Sequence, residues 1–405
     1  MMRQPDDASH RGEGAAKRGE GVVSIDSKLP AVGTTIFAVM SRLAAELDAI
    51  NLSQGFPDFD CDPALVAAVA AHMQSGKNQY APMQGVLRLR EAIAAKYEWF
   101  SGRRYDPETE VTVTSGGTEG IFDAIAATVG PGDEVVVLEP CYDSYVPAIV
   151  LSGGTPVFVP LRFPDYTIDW DAMRAAVTPR TRMIMLNSPH NPAGSVLTPL
   201  DMHALIALVE GTRILILSDE VYEHIIFDGL RHESCARYDE LAARAFVIGS
   251  FGKTYHTTGW KVGYAVAPAA LTTEFRKVHQ FVTFSTNTPV QHAIADFLET
   301  RRGLAELGPF FQAKRDLFLR LMAGSSFRPL ACHGSYFQLM DYSAITDEAD
   351  ADFAIRLTRE HGVASIPTSP FLRPGTAAPR VLRFCFAKRD ETLERAAARL
   401  VGVRP

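Results

Sequence analysis

Short continuous apolar runs recur between residues 63 and 281, separated by stretches with helical spacing. The runs Val111–Thr114, Glu134–Leu138, Pro156–Leu161, Arg182–Leu186, Ile214–Leu217, Phe246–Gly249 and Val262–Ala267 predict strands. Helical spacing predicts helices over Gly120–Val129, Asp169–Val177 and Thr198–Glu210, the last with Thr198 as N-cap and Pro199 at its first position. Upstream, an entry segment leads into an amphipathic helix over residues 41–50. Apolar strands alternating with helices define an α/β fold whose mostly parallel sheet is covered on both faces. Past about Glu306 the rhythm changes. A long helix over Phe310–Met322, strands near Tyr336–Met340 and Arg380–Phe386, and helices over Asp350–His361 and Glu391–Leu400 predict a smaller α+β unit. The expected division is a disordered polar tail over residues 1–28, a segment over 29–62 joining the smaller unit, a large unit over 63–305 and a small C-terminal unit over 306–405.

Composition narrows the function classes. Hydrophobic residues make up 47% and charged residues 21% of the 405, an ordinary globular balance. A net charge of -7 gives no basic footprint for nucleic acid. The five cysteines are scattered without a CxxC pair, which argues against a disulfide framework or a zinc site. The N-terminus has no apolar signal core, and no apolar run approaches membrane-spanning length, so a cytoplasmic protein with no membrane partner is expected.

Ligands in parallel α/β sheets sit beyond the carboxyl ends of the strands. Here the strand exits read SGGTEG, EPCYDSY, NSPHNPAG, SDEVYEH and SFGKTYHTTGWK. A lone lysine usually sits in water, but Lys253 comes just past an apolar strand among small and hydroxyl residues, with Lys261 nearby. A lysine that forms an imine needs partial desolvation and a neighbouring cation, because both favour its neutral form. Lys261 and the Ser250 hydroxyl then suit a cofactor phosphate. The glycines of SGGTEG open a helix and let backbone N–H groups approach that phosphate, although a plain structural turn has the same composition. Asp219 is either a helix cap or the carboxylate that keeps a pyridine nitrogen protonated. Tyr222, three residues on, and Asn191, aimed by a proline-rich turn, suit the ring oxygen. Tyr142 suits stacking on a flat ring or packing in the core. Arg383 lies in an apolar strand pattern, and a buried arginine must be paired. Its partner is an internal carboxylate or the substrate's.

Together with NLSQGFPDF, NQYAPMQG and LRFCFAK, these motifs resemble the class I/II aminotransferases of pyridoxal-5'-phosphate (PLP) fold type I, especially the kynurenine and bacterial methionine aminotransferase branch. The resemblance spans about Val32 to the C-terminus. It implies that Lys253 holds PLP as an imine and shuttles the proton. Asp219 would pair with the ring nitrogen, Asn191 and Tyr222 with the ring oxygen, and Tyr142 with the ring face. Gly117, Thr118, Ser250 and Lys261 would hold the phosphate, where many relatives use arginine in place of Lys261. Tyr80 would reach the phosphate of a neighbouring subunit, making a homodimer with shared sites. Arg383, with Asn191 and the Gly55 backbone, would bind the substrate carboxylate, and Phe284 would line the partner's pocket. The expected reaction passes an amino group from a neutral, sulfur-containing or aromatic amino acid to a 2-oxo acid. The runner-up is a cysteine-conjugate carbon–sulfur β-lyase using the same lysine. A PLP-binding transcription regulator is disfavoured because no helix-turn-helix pattern precedes the first helix. A nucleotide-binding protein is disfavoured because the phosphate fingerprints of that class are missing.

Overall fold

The computed structural model describes residues 25–405, so the expected tail lies almost wholly outside the described residues. Seven strands form the central sheet, in the spatial order Val111–Thr114, Gly263–Val266, Ala245–Ser250, Leu215–Asp219, Thr181–Asn187, Glu134–Glu139, Thr155–Pro160. All neighbours are parallel except Gly263–Val266, which runs antiparallel to both of its own.

The continuous apolar runs reflect burial on both faces. Successive strand side chains point to opposite sides. Val136, Leu138, Ile184, Leu186, Ile216 and Val247 enter one core. Their neighbours Val135, Val137, Met183, Met185, Leu217 and Ile248 enter another. The middle positions of the strands from Glu134–Glu139 to Ala245–Ser250 are apolar, so polar chemistry collects toward the strand ends.

A third core surrounds a four-stranded antiparallel sheet containing Phe337–Asp341 and Val381–Cys385. Phe318, Phe353 and Leu393 cover it from helices Leu304–Leu321, Asp350–His361 and Asp390–Leu400. The strand Ile50–Asn51 pairs in parallel with Val363–Ala364, so the N-terminal segment packs with the C-terminal part of the chain. Among the described residues no helix is long and apolar enough to cross a membrane.

Two element boundaries differ most from expectation. The helix placed at 41–50 runs Ile36–Glu46, because Thr35 caps it by accepting Ala38 N–H at 3.3 Å. The chain then turns at Asp48, with φ 48°, and Ile50 is taken into the two-stranded pairing instead. The long helix, expected from Phe310, begins at Leu304, with Pro309 inside its second turn.

Candidate active site

Every predicted site residue except Tyr80 and Phe284 lines one cavity of about 440 Å³ at the carboxyl ends of the parallel strands. Each strand exit contributes through its own local geometry. Helix Gly117–Thr128 starts within SGGTEG, placing Gly116, Gly117 and Thr118 on the wall. Gly116 has φ 81°, and a side chain there would begin 3.1 Å from Lys261 Nζ. Gly263 lets the adjacent strand close on this turn, since a Cβ would stand 2.9 Å from Gly117 N and 2.7 Å from the Gly249 carbonyl. Ser250 ends its strand beside them, and Lys261 turns back with φ 56°. This cradle of backbone, hydroxyl and cation fits a phosphate.

Lys253 lies in the short helix Phe251–Thr254, and its Nζ donates to the Gly55 carbonyl at 3.2 Å. Tyr336 Oη donates to the same carbonyl at 2.9 Å. Burial pulls the Lys253 ammonium down to about 8, and the Arg383 cation adds to the fall. The amine therefore sheds its proton nearer neutrality than an ordinary lysine.

Asp219 ends its strand buried, and burial raises its carboxyl to about 6. Tyr145 Oη donates to Asp219 Oδ2 at 2.5 Å and opposes that rise. The sequence reading missed Tyr145. It singled out the first tyrosine of EPCYDSY, whereas the second reaches the carboxylate from the start of helix Tyr145–Leu151. Tyr142 keeps a place on the wall, with its ring 5.8 Å from that of Tyr145. Tyr222 is buried, edge-on to Tyr336 at 5.0 Å.

Arg383 is 1% exposed, yet no carboxylate pairs with it among the described residues. Its Nη1 donates to Asn191 Oδ1 at 2.7 Å and its Nη2 to the Ser53 carbonyl at 3.1 Å. The guanidinium lies 3.9 Å from the Phe337 ring centroid, and its Nε makes no hydrogen bond. Burial lowers it to about 10, so it remains a cation at neutral pH. Of the two partners left open by the sequence, the internal carboxylate is therefore not found.

Thr35, Phe37 and Gln54 complete the wall from the N-terminal segment, with Gly55. No local motif marks the first two. Tyr80 and Phe284 lie elsewhere, edge to face with centroids 5.4 Å apart, and Tyr80 is 83% exposed.

A desolvated lysine and a buried carboxylate beside a phosphate cradle, with an uncompensated cation across the cavity, fit a PLP-dependent group-transfer site. The family model for class I and II aminotransferases matches residues 48–400, and the chain belongs to that family of PLP enzymes. It is 49% identical to the methionine aminotransferase of Escherichia coli (strain K12), over 92% of this chain and 97% of the relative. A kynurenine–oxoglutarate transaminase of Dictyostelium discoideum is 33% identical, over 92% and 94%. Among solved structures, an Escherichia coli methionine aminotransferase superposes with a TM-score of 0.91 at 48% identity, covering 94% of this chain and 99% of that one. The N-succinyldiaminopimelate aminotransferase of Mycobacterium tuberculosis also gives 0.91, at 40% identity, covering 94% and 100%. The enzyme is thus an aminotransferase, acting on an amino acid and a 2-oxo acid.

Proposed function

We propose that this aminotransferase takes its amino group from a neutral, sulfur-containing or aromatic amino acid, methionine foremost. One observation carries the choice. The basic residues on the cavity wall are Lys253, Lys261 and Arg383, and each already has a task. A donor with a distal carboxylate, such as a succinylated diamino acid, would need a further cation and would instead face Asp143.

Bound here, PLP supplies an electron sink for the charge left at the substrate Cα. The residues of the chain do the rest. Gly117, Thr118, Ser250 and Lys261 hold the phosphate, and Asp219 keeps the ring nitrogen protonated. Tyr142 covers the ring face. Because Asn191 Oδ1 accepts from Arg383, its Nδ2 is the end left to donate to the ring oxygen, beside Tyr222. Arg383, left without a carboxylate partner inside the protein, grips the substrate carboxylate, with the Gly55 backbone alongside. That grip would fix the orientation of the substrate Cα–H bond toward the Lys253 amine. Lys253 would hold the cofactor through its amine. With substrate bound, that amine would take the proton from the substrate Cα as a base and give it back as an acid. Two half-reactions on one site give ping-pong kinetics.

Residues 63–305 form the cofactor-binding unit, and 29–62 joins 306–405, a division supported by the Ile50–Val363 pairing. Tyr80 and Phe284 serve the site of a second copy, as their distance from their own cavity wall and the nearby exposed Phe281 and Val282 suggest. The working unit is then a homodimer in the cytoplasm.

The test is direct. Borohydride should fix PLP to Lys253, and a donor panel should rank methionine and phenylalanine above aspartate. A chain in which residue 253 stays unlabelled, or in which aspartate wins, rejects the proposal at the corresponding step. Pyruvate release from a cysteine conjugate, faster than oxo-acid formation, would favour the lyase chemistry instead.

A further inference from the structure

Behind the glycine turn, outside the cavity, three titratable side chains are packed together. Glu119 lies in the first turn of helix Gly117–Thr128. One of its oxygens accepts Ser115 N–H at 2.6 Å, and the other lies 2.6 Å from His279 Nδ1. Asp123 Oδ2 lies 3.3 Å from the same nitrogen. His279, on helix Ala269–Val282, is fully buried, and its Nε2 lies 3.0 Å from the Met83 carbonyl.

The geometry sets the protonation of the ring. A carbonyl oxygen can only accept, and an ionised carboxylate can only accept, so both ring nitrogens must carry hydrogen. His279 is therefore an imidazolium. Burial pulls it down, but the Asp123 and Glu119 carboxyl groups beside it outweigh that and raise it to about 9. Burial pushes the Asp123 carboxyl up, and neither of its buried oxygens has a hydrogen-bond partner, so its neutral form is favoured. One anion, Glu119, and one cation, His279, remain.

That pair stands at a sensitive place. Ser115 immediately precedes Gly116 and Gly117, which line the phosphate end of the cavity. A carboxylate in the first turn suits a bare helix N-terminus, but it repels a phosphate dianion at the same end. An imidazolium behind it offsets the repulsion. The same residue joins two further segments. Met83 lies three residues past Tyr80, and the Phe284 N–H donates to the His279 carbonyl at 2.9 Å.

We infer that His279 is a positioning residue for the cofactor phosphate, neutralising Glu119 behind the glycine turn while anchoring the segments that carry Tyr80 and Phe284. The inference rests on the PLP site proposed above. The experiment titrates the full-length apoenzyme with PLP and, separately, with pyridoxal, which lacks the phosphate. His279→Gln should weaken PLP by about tenfold, the scale of one lost charge-assisted hydrogen bond, and change pyridoxal binding by less than about twofold. Adding Glu119→Gln to that variant should recover most of the loss. Equal weakening for both ligands, or no recovery in the double variant, overturns the inference by reducing His279 to a packing residue. Should His279→Gln fail to fold, Glu119→Gln alone decides. It should bind PLP at least as tightly as the parent, and selective loss of PLP would overturn the charge argument. Borohydride fixation at Lys253 in the parent protein separates the two claims. With the adduct present and the phosphate selectivity absent, only the role of His279 falls; without the adduct, both fall.

Discussion

Tyr145 shows how one hydroxyl sets the state of a buried acid. Its bond opposes the upward push of burial on Asp219, whose carboxyl sits at about 6. Removing the hydroxyl must let that carboxyl rise further. If PLP binding needs the carboxylate, affinity falls as pH drops through about 6 in the parent protein. In Tyr145→Phe the same fall should begin at higher pH, with kcat down about tenfold at neutral pH for the lost bond to a charged group. Cofactor titrations across pH 5–8 check this, and an unmoved profile would show that the hydroxyl does not tune Asp219. At this scale the site was largely legible, because sheet burial confines polar chemistry to the strand exits. Lys253, Asp219 and Asn191 stand out as polar groups just past an apolar run, and Arg383 as a charge inside one. Tyr145 could not be found that way, since two tyrosines share one exit and the helix start decides which of them reaches Asp219. Thr35 and Phe37 carried no signal at all; long-range pairing brings them to the cavity.

Among the elements, helix Pro199–Val209 is the clearest case of a boundary written locally. Thr198 Oγ1 accepts Asp201 N–H at 3.2 Å, and Asp201 Oδ2 accepts the Thr198 N–H at 2.8 Å, a reciprocal capping box. Trp170 Nε1 donates to the other Asp201 oxygen at 2.9 Å, so the cap also ties in the preceding helix. Thr198→Ala should lower stability by about 1 kcal/mol and leave kcat unchanged, since nothing in the cap lines the cavity. Denaturant unfolding beside steady-state assays would measure both. The helix placed at 41–50 failed for the opposite reason. Its apolar spacing was real, but Ile50 gains more by pairing with Val363 than by extending the helix, and no local pattern encodes that partner. Tertiary contacts override propensity most easily at element ends.

The whole molecule presents two sets of functional groups that one chain does not bring together. The cavity holds Lys253, whereas Tyr80 and Phe284 form an exposed pair away from its wall. If each site borrows Tyr80 from a second copy, Lys253→Ala and Tyr80→Ala are complementary lesions. Mixing the two weakly active proteins under exchange conditions should restore activity, because each mixed dimer has one intact site. No gain on mixing, with exchange confirmed by mass, would show that Tyr80 serves its own chain or none.

The unmatched guanidinium of Arg383 has a consequence for how the protein is handled. A buried cation held by neutral oxygens and aromatic rings draws in small organic acids whether or not they carry an amine. Acetate or formate buffers should thus act as weak competitors, and amines stripped of their acid group should be ignored however well their side chains fit.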